Sequence, residues 1–119
     1  MKIAITSEGQ DPSSLVDPRF GRAKGFIIYN TDSKEYSYHD NEQNINAPQG
    51  AGIQSAKKII DMGAKVLLTG NVGPKAFATL KKGEVTIIIG AKGIVKDAVD
   101  QYLQGSLSEA SEANVESHW

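Results

Sequence analysis

The sequence predicts an α/β fold, a five-stranded mixed sheet built in the element order βββαβαβα. Short β-branched and aromatic runs recur as strands, three stretches switch to a helical apolar period, and glycine or proline marks most junctions between them. Met1 to Ser7 contains Ile3, Ala4 and Ile5, and Gly25-Phe26-Ile27-Ile28-Tyr29 is apolar and aromatic; both are too short for helices and read as buried strands. Asn30 to Lys34 is a turn cluster. Glu35 to Asp40 follows, with Tyr36 and Tyr38 alternating against polar neighbours, so the second and third strands form a hairpin. From Gly52 the period changes: Ile53, Ala56, Ile59 and Ile60 share a helical face that ends at Gly63. Val66-Leu67-Leu68 is the fourth strand. Pro74 opens a second helix with Ala76, Phe77 and Leu80 inward and Gly83 as its stop. Val85 to Ile89 is the fifth strand, and a third helix carries Ile94, Val95, Ala98, Val99, Tyr102 and Leu103 up to Gly105.

Crossovers through helices make the last three strands parallel, and a meander of the first three leaves the second strand alone running backwards. Four strand ends then point one way, releasing residues 7–24, 41–52, 70–73 and 90–93 at the edge where open parallel sheets bind ligands. A chain of 119 residues fits one domain, here residues 1–105. The remainder, 106–119, holds Glu109, Glu112 and Glu116 with no lysine or arginine, and reads as a mobile acidic tail.

Thirteen basic against fourteen acidic residues give a net charge of -1, which offers nothing to nucleic acid or an anionic membrane. No apolar run approaches a membrane span and the N-terminal run is too short for a signal-peptide core, so a cytoplasmic location is expected. Cysteine is absent, which excludes disulfides, zinc-thiolate sites and iron-sulfur clusters tethered by protein thiolates. His39 and His118 form no ligand spacing and read as surface residues. Asp17, Asp32, Asp61 and Asp97 are scattered, form no catalytic pair and read as solvated. No nucleophile elbow or phosphate-binding Gly-x-x-x-x-Gly-Lys motif occurs.

What remains is a set of loops suited to an anion. Three helices start after the glycine-bearing segments Gln49-Gly50-Ala51-Gly52, Gly70-Asn71-Val72-Gly73-Pro74 and Gly90-Ala91-Lys92-Gly93, with Lys75 and Lys92 beside two of the starts. Helix N-termini present unpaired N–H groups and positive partial charge. Alternatively, each glycine serves only a tight turn. The long connection from Ser7 to Lys24 contains Asp17-Pro18-Arg19-Phe20-Gly21-Arg22-Ala23, two guanidinium groups around an aromatic and a glycine. They suit an anion's oxygens or sulfurs, or equally surface ion pairs with Asp17 or Glu8.

Together, Lys2-Ile3-Ala4-Ile5, the block from Asp17 to Ala23 followed by Phe26, Gly50-Ala51-Gly52, and Leu68-Thr69-Gly70-Asn71-Val72-Gly73-Pro74-Lys75-Ala76 resemble the dinitrogenase iron-molybdenum cofactor biosynthesis family over Met1 to about Leu107. The resemblance implies a three-layer ribonuclease H-like domain that accepts, stores or delivers molybdenum-iron-sulfur clusters or their precursors and is not an enzyme. Many relatives carry histidine where this chain has Gln49, Gly50 and Ala51. Lacking both cysteine and that histidine, the chain resembles a member that holds a mixed molybdenum-copper sulfide cluster without covalent ligands. The implied cargo is a preassembled molybdenum-containing metal-sulfide cluster, a molybdenum-copper one included, held non-covalently. Its expected contacts are Arg19, Phe20, Gly21, Arg22, Gln49, Gly50, Ala51, Gly52, Gly70, Asn71, Val72, Gly73 and Lys75, with no side chain ligating metal. Cluster donor or acceptor proteins are the implied partners. Two other readings use the same features: an enzyme acting on a phosphorylated or nucleotide ligand at these loops, against which the missing catalytic base counts, and an interaction module docking through the acidic tail.

Overall fold

The computed structural model describes residues 1–42 and 50–114. Strands β1 (Lys2–Ser7), β2 (Gly25–Asn30), β3 (Glu35–Asp40), β4 (Ala64–Leu68) and β5 (Thr86–Ile88) form one sheet in the order β3-β2-β1-β4-β5. β2 lies antiparallel to β1 and β3, while β4 is parallel to both β1 and β5, so β2 alone runs against the rest. The helices are α1 (Ala51–Asp61), α2 (Pro74–Lys82) and α3 (Val95–Leu103), and a 3₁₀ turn spans Phe20–Arg22.

β1 is central and covered on both faces, which explains its unbroken apolar run. Ala4, Phe26, Ile28, Leu67 and Ile87 pack beneath α1 and α2, where they meet Ala56, Ile59, Ala76 and Leu80. Ile3, Ile5, Ile27, Val66 and Leu68 face the other way, against Val95, Ala98 and Val99 of α3. The domain is thus three layers, with the sheet between two helices and one. β5 is shorter than the Val85–Ile89 run suggests because the Val85 N–H turns back to the Leu80 carbonyl at the end of α2, at 3.0 Å.

Beyond Gly105, residues 106–114 make contacts with the domain. Leu107 packs on the α3 layer, the Ala110 N–H donates to the Ile87 carbonyl at 2.7 Å, and Glu109 pairs with Lys81 at 3.3 Å. An isolated antiparallel bridge between Ile88 and Glu109 covers the β5 edge, and Asn114 reaches the loop after β4. Composition gives no sign of these contacts, because they are backbone bonds to an open strand edge made by a segment with little apolar content of its own. Residues 115–119, with His118 and Glu116, lie outside the described residues.

Candidate functional site

The segment from Ser7 to Lys24 is ordered by its backbone. Glu8 N–H donates to the Leu15 carbonyl at 2.9 Å, and Asp17 N–H to the Thr6 carbonyl at 2.9 Å. The Thr6 hydroxyl, fully buried, donates to the Asp17 carbonyl at 2.6 Å and lies 2.8 Å from the Thr69 hydroxyl, joining the ends of β1 and β4 beneath the loop. Arg19 forms a parallel bridge with Asn71, whose carbonyl accepts the Phe20 N–H at 3.1 Å and whose Nδ2 donates to the Pro18 carbonyl at 2.8 Å. Gly70 makes this approach possible: a Cβ there would stand 2.7 Å from the Pro18 carbonyl oxygen. On the other flank, buried Asn41 donates to the Ala23 carbonyl at 3.1 Å and to the Ser55 hydroxyl of α1 at 2.9 Å.

These ties build a cleft of about 350 Å³ at the carboxyl end of the sheet, lined by Glu8, Asp17, Pro18, Arg19, Arg22 and Lys24. Arg19 and Arg22, expected to act together, do line one cavity. Between them Phe20 is fully buried, 5.9 Å from the Phe26 ring, so it anchors the turn and does not line the cleft. Gly21 is buried too. Lys24 is a third cation that pattern reading passed over, although it stands two residues after Arg22.

Asp17 was expected to be solvated; it is 6% exposed. Its Oδ1 accepts the Arg19 N–H at 3.0 Å, which fixes the backbone that carries the arginine. Burial pushes its carboxyl above the ordinary range, aided by the Glu8 charge and opposed by the Arg19 N–H, the Arg19 charge and the Lys24 N–H. The cleft therefore sets three cations against two carboxylates.

The glycine loops divide. α3 begins with its first two donors taken, since Val95 N–H donates to the Ser14 carbonyl at 2.9 Å and Lys96 N–H to the Pro12 carbonyl at 3.0 Å. At α2, Val72 is buried in the core and its N–H is held by Asn114 Oδ1 at 2.8 Å, Gly73 caps the helix, and Lys75 is exposed on the first turn. Gly52 permits helix contact, because a Cβ there would lie 3.0 Å from the Ala76 Cβ. Gly50, at φ 76, caps α1 in the left-handed region with nothing within 4 Å of its Cβ position, and Ala51 behind it is buried. Gln49 lies outside the described residues. None of residues 50–52 or 72–75 lines the cleft. Asn71 and Gly70 shape it from behind.

Among the described residues no group of three His, Asp or Glu side chains could hold a metal ion, and no helix is long and apolar enough to cross a membrane. The arrangement suits an anion bound by charge and hydrogen bonds.

Comparison with known proteins agrees in fold. The chain superposes on the apo form of the orange protein from Desulfovibrio gigas with a TM-score of 0.93 and 40% identity, covering 96% of both chains. A NifB-type protein from Thermotoga matches at a TM-score of 0.84 and 36% identity over 97% of both. An uncharacterized protein of Methanocaldococcus jannaschii is 26% identical over 92% of this chain and 91% of its own length. Residues 1–105 match the family described as dinitrogenase iron-molybdenum cofactor, which spans all five strands and three helices. The chain belongs to the dinitrogenase iron-molybdenum cofactor family.

Proposed function

We propose that this protein carries a preassembled, anionic metal-sulfide cluster that contains molybdenum, and that it takes the cluster from one protein and passes it to another without making or breaking bonds in it. One observation carries the reading: Arg19, Arg22 and Lys24 converge on a cleft at the carboxyl end of the sheet in a chain that has no cysteine. A cluster that brings its own sulfides needs no thiolate from the protein. It needs cations that reach its sulfur atoms, and arginine supplies these with directional donors. The family's tie to the iron-molybdenum cofactor and the likeness to the orange protein support a cofactor-related carrier. Molybdenum-copper sulfide is the form of cargo we favour, on the absence of the histidine that many relatives carry near Gln49, and the cytoplasm is the compartment that suits it.

The enzyme alternative gains little from the cleft. Its buried carboxylate, Asp17, is engaged with the Arg19 N–H and is not placed as a catalytic base. The deciding experiment is a titration of oxygen-free protein with tetrathiomolybdate, with and without Cu⁺, followed by visible absorbance. Saturable uptake at a fixed stoichiometry, tighter with copper present, is expected. Phosphate or nucleotide that binds while the thiomolybdate does not would overturn the proposal.

A further inference from the structure

Asn114 lies beyond the residues 1–105 shared with the family, yet it makes four hydrogen bonds to a single loop. Its Oδ1 accepts the Val72 N–H at 2.8 Å, and its Nδ2 donates to Asn71 Oδ1 at 3.0 Å and to the Gly70 carbonyl at 3.4 Å. Its own N–H donates to the Val72 carbonyl at 3.1 Å. A carboxamide suits this place because it offers an acceptor and two donors on one short arm. The chain is led there by the Ala110–Ile87 bond across the β5 edge and by the Glu109–Lys81 pair.

The loop so fixed is also the support of the arginine segment. Asn71 holds the Pro18 carbonyl through its side chain and the Phe20 N–H through its backbone, so the residues on both sides of Arg19 hang from Asn71. We propose that Asn114 is a positioning residue for the cleft, fixing Asn71 and, through it, the backbone that aims Arg19. The inference rests on the anion-binding reading of that cleft. Asn114 does not line the cavity and carries no charge, so its contribution is preorganisation: with the loop loose, the anion must order it on binding.

The test titrates tetrathiomolybdate into the full chain, followed by visible absorbance, for wild type, Asn114→Ala, Arg19→Gln and the double variant. Asn114→Ala is expected to weaken binding about 10-fold through the lost preorganisation. The salt dependence of its affinity should match wild type because no charge is removed. In the Arg19→Gln background the same substitution should cost little more, since both act through one group. Amide spectra of Asn114→Ala should stay dispersed, with shifts centred on Val72, Asn71, Phe20 and Arg19. Should that variant not fold, Asn114→Asp keeps the acceptor for the Val72 N–H while losing both donors, and at high salt, where its charge is screened, it should show the same loss. Wild-type affinity in the Asn114 variant overturns the proposal, as do losses that multiply in the double variant, which would mark simple packing. Wild-type affinity in Arg19→Gln brings down the anion reading itself, and this inference with it.

Discussion

Arg19 and Arg22 flank a phenylalanine that is wholly buried, so the turn that presents them is anchored by a side chain other than their own. Replacing either with glutamine is expected to leave the melting temperature nearly unchanged and to weaken tetrathiomolybdate binding roughly 10- to 150-fold, the worth of one charge-assisted hydrogen bond. Wild-type affinity in both variants, with no salt dependence, would show that the arginines serve only as surface ion pairs. Asp17 sets a second expectation. Its folded-state pKa is raised, so the folded chain holds that proton more tightly than the unfolded chain. The stability it contributes is therefore fully present below the unfolded value and is lost as pH rises through the raised one. Asp17→Asn should be more stable than wild type at neutral pH, and the difference should shrink as pH falls through that window, as urea melts at several pH values would read. Since the carboxamide keeps an acceptor for the Arg19 N–H and removes a negative charge, this variant should also bind the probe roughly 10-fold more tightly at neutral pH. The arginines were legible because a cationic pair around Phe-Gly in a long loop is unusual. Asp17 was not, because burial of a carboxylate depends on hydrogen bonds to residues that only the fold brings near.

Strands and helices were legible from period alone, since a central strand buried on both faces is continuously apolar and the three helices each show one apolar face. What pattern reading left open was which helix starts stay free to meet a ligand. The first two donors of α3 are taken by carbonyls from Pro12 and Ser14, which belong to the loop after β1 and lie far from Val95 and Lys96 in sequence. Gly70 belongs to the same class: a site glycine by pattern, it permits the Pro18 contact. Gly70→Ala should cost about 1–3 kcal/mol by overpacking, measurable in urea, and should weaken probe binding because the arginine segment is pushed outward. The segment after α3 makes its own prediction. Removing residues 106–119 should lower stability by about 1–2 kcal/mol through the lost bonds to Ile87 and Val72. A melt identical to the full chain would show that these contacts contribute nothing in solution.

For the whole molecule, binding and stability are linked. At a free probe concentration about 100-fold above Kd, a ligand specific for the folded chain adds about 2.7 kcal/mol. For a domain of this size that is a rise of roughly 10 °C in melting temperature. Zn²⁺ or Fe²⁺ alone should give no such rise, since no group of three ionisable ligands exists among the described residues. Tight stoichiometric uptake of either bare ion in a calorimeter would contradict a cargo that arrives with its own sulfur. The central place of β1 also matters during synthesis. β1, β2 and β3 are complete once Asp40 has left the ribosome, but α1 covers one face only after Asp61 and α3 the other only after Leu103. At about 5–20 residues per second that interval is on the order of seconds. Throughout it, the nascent meander shows Ile3, Ile5 and Ile27 on one side and Phe26 and Ile28 on the other. The domain is thus most exposed to aggregation before it is finished.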